Sequence, residues 1–139
     1  MFVRGRAIVL PGMSDPRRIR VVYADDNATY RTRLLRALVA EPGIEVVAVA
    51  VDGQAALHAI ELHQPDVALV DLRAPVVSGL DIAEHVAARK PPLPTRVLLL
   101  AALPVESTRR VLQAVGLRGV VDRASTRGEI CAALAAAAA

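Results

Sequence analysis

The chain has no tryptophan, one phenylalanine and two tyrosines, so its core cannot be built around large aromatic rings. A single cysteine, Cys131, excludes an internal disulfide and a cysteine-based metal cluster. Lying in an Ala/Leu-rich stretch, it reads as a small core residue. No apolar run approaches the roughly 20 residues of a membrane span, and Ala7-Ile8-Val9-Leu10 is shorter than the about 7–15 residues of a signal-peptide core. A soluble, cytoplasmic protein with no membrane partner is the expectation. A Gly-x-Gly-x-x-Gly turn and a phosphate-loop Lys-Ser/Thr are also missing, which argues against dinucleotide and P-loop chemistry. His58, His63 and His85 offer no metal pair or hydrolase triad and read as surface or packing residues. The net charge is +3, but Arg4, Arg6, Arg17, Arg18 and Arg20 against Asp15 put +4 into the first 20 residues. The remainder is slightly acidic, so there is no basic footprint for nucleic acid.

What is present is Ala, Val and Leu. They supply most of a hydrophobic fraction of 54% in 139 residues, enough for one domain with a single well-covered core. Residues 1–18 read as a flexible N-terminal extension, punctuated by Pro11-Gly12 and Asp15-Pro16. Met13-Ser14-Asp15 would make a natural beginning, and Arg6–Leu10 could serve as a basic arm or an edge strand. From residue 19 to 139 the pattern is regular. Strand-like runs Ile19–Ala24, Ile44–Val51, Val67–Val70, Arg96–Leu100 and Gly119–Val121 alternate with helices beginning after Asn27, at Gln54, at Gly79, at Val105 and at Thr126. The first helix should bury Tyr30, Leu34, Leu35 and Leu38, and the second Ala56, Leu57, Ile60 and Leu62. Ser107, Thr108, Ser125 and Thr126 read as capping or solvent-exposed residues. Five strands and five helices in alternation demand a parallel sheet with right-handed crossovers and helices on both faces.

Within that frame the informative stretch is Val67-Ala68-Leu69-Val70-Asp71, an apolar run that ends in a carboxylate. The first strand likewise ends in Asp25-Asp26. In a flavodoxin-like order, 2-1-3-4-5, these strands are neighbours at the topological switch point, where open α/β sheets place their ligand sites. Three carboxylates brought together repel one another unless a cation lies among them. An all-oxygen donor set with room for water suits Mg²⁺. A cation beside a free carboxylate is also a setting for phosphoryl transfer.

These residues resemble the receiver domain of bacterial two-component response regulators over about residues 18–137. The motifs are Asp25-Asp26, Val70-Asp71-Leu72-Arg73-Ala74-Pro75 with Gly79 beyond it, and Gly119-Val120-Val121-Asp122-Arg123-Ala124-Ser125. The wording of the second and third is similar to the NarL/FixJ subfamily, whose members usually continue into a helix-turn-helix DNA-binding domain. The resemblance implies a CheY-like fold and a phosphoryl group accepted on Asp71 from a sensor histidine kinase. It implies Mg²⁺ held by Asp26, Asp71 and the backbone carbonyl of Arg73, with Asp25 acting through water. Output would be transcriptional, through a DNA-binding domain outside this chain, with a homodimer as a further partner. No activity of its own beyond self-catalysed phosphotransfer and dephosphorylation is implied.

Three positions depart from the family pattern. Ala101 stands where receivers carry Thr or Ser, Arg123 where they carry Lys, and Val120 where they carry an aromatic switch residue. A lost charge-assisted hydrogen bond forfeits about 1.5–3 kcal/mol, and arginine is longer and planar where lysine is a point charge. The alternative reading is therefore a phosphorylation-independent receiver that dimerises or binds a protein or small ligand constitutively.

Overall fold

The computed structural model describes residues 18–102 and 117–139, together with two short strands, Phe2–Val3 and Arg6–Ala7. Those two pair antiparallel with each other, Phe2 opposite Ala7 and Val3 opposite Arg6. Among the described residues these form a two-stranded sheet separate from the five-stranded one; the rest of the expected Arg6–Leu10 strand lies outside the described residues.

The main sheet has five parallel strands: β1 (Ile19–Ala24), β2 (Ile44–Ala50), β3 (Val67–Asp71), β4 (Arg96–Ala101) and β5 (Leu117–Asp122). Their order is β2-β1-β3-β4-β5, with all four neighbouring pairs parallel. This is the flavodoxin-like 2-1-3-4-5 arrangement. Helices α1 (Ala28–Ala40), α2 (Gly53–His63), α3 (Gly79–Ala88) and a C-terminal helix (Arg127–Ala138) cover the sheet. The helix expected from Val105, with Ser107 and Thr108, lies outside the described residues.

Strand residues alternate between two cores, as the two-residue period of a strand requires. Val22, Ala24, Ala68, Val70, Val97 and Leu99 pack on one face with Ala56 and Ile60 of α2 and Ile82 and Val86 of α3. Val21, Tyr23, Val67, Leu69, Leu98 and Leu100 pack on the other with Leu34 and Leu38 of α1 and Ile130 and Leu134 of the C-terminal helix. Asp25 and Asp71 continue the second series by the same parity, so both carboxylates emerge on the side of α1 and the C-terminal helix. Leu62, expected on the buried face of α2, is 68% exposed. The helix instead buries Gly53, Ala56 and Ile60, a stripe too narrow to include it.

Each described helix start is capped by the side chain that the sequence offers there. Asn27 accepts from the Tyr30 amide at 2.9 Å, Asp52 from Ala55 at 2.7 Å and Ser78 from Asp81 at 3.1 Å. Thr126 and Glu129 form a reciprocal capping box. Helix α2 thus starts one residue before the expected Gln54, with Asp52 as its cap and Gly53 as its first residue. Ser78→Ala is expected to lower stability by about 1 kcal/mol. The check is a denaturant titration, in which the midpoint should fall at constant slope.

Candidate functional site

The carboxyl ends of β1 and β3 form a crevice. Asp25, Asp26 and Asp71 each offer an oxygen there, and these three atoms lie within 4.8 Å of one another. Asp25 and Asp71 are buried and Asp26 is exposed. The set is all-oxygen, acidic and open on one side, a donor chemistry that fits a hard divalent cation such as Mg²⁺.

Asp71 is held by its own turn. The Arg73 amide donates to Asp71 Oδ1 at 3.0 Å, the Ala74 amide to the Asp71 carbonyl at 3.1 Å, and the Leu72 amide to the Leu100 carbonyl at 2.9 Å. Oδ2 faces the crevice, 3.4 Å from Arg123 Nη1. Burial pushes the Asp71 carboxyl above its ordinary value, opposed by the Arg73 amide and the Arg123 charge and reinforced by Asp25 and Asp26.

The turn itself is fixed from two sides. Gly53 at the start of α2 donates its amide to the Pro75 carbonyl at 2.9 Å, and Val77 donates to the same carbonyl at 2.8 Å. Between them Val76 sits at φ 72°, a left-handed conformation that a β-branched residue adopts at a cost of roughly 1–3 kcal/mol. A Cβ on Gly53 would overlap the Val77 carbonyl oxygen, and one on Gly79 would lie 2.8 Å from the Asp71 carbonyl oxygen. Glycine at both positions lets the Asp71 loop lie against α2 and α3.

Arg123 follows β5 directly, its amide donating to the Ala101 carbonyl at 2.9 Å. Its guanidinium reaches back over the acids, Nη1 at 3.0 Å from Asp25 Oδ2 and Nη2 at 3.3 Å from Asp25 Oδ1. Burial disfavours that charge, but the hydrogen bond to Asp25 and the charges of Asp25 and Asp71 outweigh it, so Arg123 stays more firmly protonated than usual. Ala101 is buried at the end of β4 and carries no hydroxyl; Val120 is half-buried on β5. Arg73 is exposed, with its amide on Asp71.

Sequence reasoning missed the two tyrosines. Tyr23 is fully buried and donates its hydroxyl to Asp25 Oδ2 at 2.9 Å. Tyr30, read as a core residue of α1, lies with its ring 4.0 Å beneath the Arg123 guanidinium and donates its hydroxyl to the Arg123 carbonyl at 3.0 Å. Strand periodicity offered a signal for the first, since Tyr23 and Asp25 share a face. Tyr30 is in the first turn of a helix that starts at the crevice.

Burial, then the charge of Asp25 and the hydrogen bond to it, push Tyr23 far above the ordinary tyrosine range. Burial likewise raises Tyr30, against the Arg123 charge. A raised tyrosine pKa means that the unfolded chain releases its proton first. The stability these groups contribute is thus complete below about pH 10 and is lost as pH rises beyond it. In an alkaline titration, tyrosinate absorbance should therefore rise at higher pH in the folded protein than in the unfolded chain.

The remaining expectations find ordinary roles. His85 pairs with Glu61 at 3.2 Å, and Glu61 also pairs with Arg89, tying α2 to α3 at the surface. Cys131 is half-buried, and burial raises its thiol. No helix among the described residues is long and apolar enough to cross a membrane.

A doubly wound parallel sheet with three acids at its switch point defines a class, and similarity to known proteins gives that class its name. The family model for the response regulator receiver domain matches residues 21–135, and the chain belongs to that family. Among its relatives, "Probable transcriptional regulatory protein NarL" of Mycobacterium tuberculosis is 42% identical over 121 residues, 86% of this chain and 54% of that protein. A protein-glutamate methylesterase/protein-glutamine glutaminase of Oleidesulfovibrio alaskensis is 38% identical over 104 residues, 75% of this chain and 27% of that protein. The solved signal receiver domain of M. tuberculosis NarL matches with a TM-score of 0.81 and 40% identity, covering 88% of this chain and 98% of that one. The chain spans about half the length of the NarL relative.

Proposed function

We propose that this receiver domain accepts a phosphoryl group on Asp71 from a sensor histidine kinase and passes the signal to a transcriptional output. The carrying observation is the position of Asp71: at the end of β3, one oxygen fixed by the Arg73 amide, the other facing a crevice shared with Asp25 and Asp26. In the transfer, the crevice-facing oxygen forms a P–O bond as the P–N bond of a phosphohistidine breaks. The electron pair leaves with the imidazole nitrogen, which takes a proton from solvent, and the product is an aspartyl acyl phosphate. Asp25, Asp26, Asp71 and the Arg73 carbonyl are the groups that would hold Mg²⁺, which when bound neutralises phosphoryl oxygens. Arg123 holds a positive charge 3.4 Å from the same Asp71 oxygen.

Output through a DNA-binding domain follows the transcriptional regulator to which the chain is similar. Homodimerisation and a cytoplasmic location belong to the same reading. The test is incubation with Mg²⁺ and a small phosphoryl donor such as acetyl phosphate. One hydroxylamine-labile phosphoryl group mapping to Asp71 is expected; absence of an adduct with acetyl phosphate and with kinase donors alike would overturn the proposal.

One observation favours a second reading. Ala101 ends β4 without a hydroxyl, and Val120 replaces an aromatic ring on β5, so the usual contacts for sensing a phosphoryl group are altered. In a constitutive interaction module, partner binding would be indifferent to Asp71→Asn.

A further inference from the structure

Arg123 does not lie loosely over the acids. Its guanidinium is held between the carboxylates of Asp25 and Asp71 on one side and the face of Tyr30 on the other. Tyr30 is fixed at both ends: its amide is on the Asn27 cap and its hydroxyl on the Arg123 carbonyl. Asp25 is correspondingly occupied. Its Oδ2 accepts from Tyr23 and lies 3.0 Å from Arg123 Nη1 in an ion pair, and its Oδ1 accepts from the Asn27 amide and Arg123 Nη2. A carboxylate has about four acceptor sites; three of those on Asp25 take hydrogen bonds and the guanidinium lies against the remainder.

We propose that Tyr30 is a positioning residue that keeps the Arg123 guanidinium in the crevice as a resident counter-cation, so that divalent-metal affinity is set by the Tyr30–Arg123 pair as well as by the three acids. The argument is one of competition. A guanidinium among three carboxylates removes part of the charge that attracts a divalent ion and occupies oxygens of Asp25 and Asp71. The aromatic face adds an attraction that operates only while the guanidinium lies over it. Removing the ring leaves every charge in place and weakens the hold on the cation, which the carboxylates alone then keep. The inference rests on reading the crevice as a metal site, and its test separates the two.

Mg²⁺ titrations followed by amide NMR at Asp26 and Asp71 would compare wild type with Tyr30→Phe, Tyr30→Leu, Arg123→Gln and Tyr30→Leu/Arg123→Gln. Arg123→Gln should tighten Mg²⁺ binding about tenfold or more. Tyr30→Leu should tighten it about two- to fivefold, the range that a partly exposed cation–π contact supplies. Tyr30→Phe, which keeps the ring and loses the hydroxyl bond to the Arg123 carbonyl, should stay closer to wild type than Tyr30→Leu does. In the Arg123→Gln background Tyr30→Leu should add nothing, because the cycle isolates a coupling between the two residues. The Arg123 Nε–H resonance supplies a readout that needs no metal: it should carry a ring-current shift in wild type and Tyr30→Phe and lose it in Tyr30→Leu. An unshifted resonance in wild type, or unchanged Mg²⁺ affinity in Tyr30→Leu, overturns the proposal, as does a Tyr30→Leu effect that persists without Arg123. If no variant binds Mg²⁺ saturably, the metal reading fails, and the part of the proposal that concerns metal affinity fails with it. Phosphorylation of Asp71 by acetyl phosphate is read separately and stands or falls without Tyr30.

Discussion

Asp71→Asn is expected to abolish the phosphoryl adduct and, at neutral pH, to make the metal-free domain more stable than wild type. The first effect follows because an amide nitrogen or amide oxygen is too poor a nucleophile to form the acyl phosphate. The second follows from linkage. Burial is the largest influence on Asp71 and raises its pKa in the fold, so the folded state penalises the charged form relative to the unfolded chain. At pH values below the unfolded carboxyl pKa, about 3.9, both states hold the proton and the penalty vanishes. As pH rises through the folded value, wild type loses stability that the asparagine variant keeps. Thermal unfolding of both proteins from pH 3 to pH 8 in chelator, with ionic strength held constant, checks the sign. The Tm difference should grow with pH, on the order of a few degrees at neutrality. Added Mg²⁺ should then stabilise wild type in preference to the variant, because a ligand stabilises only the state that binds it. A variant less stable than wild type at pH 7 would show that the Arg123 contact outweighs the burial of Asp71.

Gly53→Ala is expected to cost about 3 kcal/mol, at the upper end of what overpacking does. The added methyl would overlap the Val77 carbonyl oxygen, with the Val77 Cβ 2.9 Å away as well. Neither is the far end of a flexible side chain. Relief requires α2 to shift or the Asp71 loop to peel away, and peeling would break the Gly53 amide bond to Pro75. Gly43→Ala is the matched control, since a Cβ there meets nothing within 4 Å; it should stay within about 0.5 kcal/mol of wild type. Denaturant titrations of both variants separate the close approach from a general effect of replacing glycine. In the folded fraction of Gly53→Ala the rate of Asp71 phosphorylation should also fall, because the displaced segment carries Arg73.

Much of this arrangement is legible in the amino-acid sequence. The first strand, Ile19–Ala24, has the bounds of its apolar run, and the strand-terminal position of Asp25, Asp26 and Asp71 implies that they meet. Near-continuous apolar runs are readable because a two-sided sheet buries both series of side chains. Other features are not readable, for equally physical reasons. Strand β5 runs from Leu117 to Asp122, longer than the apolar Gly119–Val121, because Arg118 is exposed and contributes only backbone to the ladder. The packing of Gly53 against Val77 depends on two segments far apart in sequence. Tyr30 fits an apolar helix face as well as it fits a platform for a cation, and only the placement of Arg123 decides between them.

The scarcity of aromatic residues has an optical consequence. With no tryptophan in the chain, near-ultraviolet emission is that of Tyr23 and Tyr30. One tyrosine donates a hydrogen bond to Asp25 and the other lies under Arg123. Both tyrosine rings therefore report on the acidic crevice, and an event that rearranges its charges changes the intrinsic fluorescence of the whole domain without an added label.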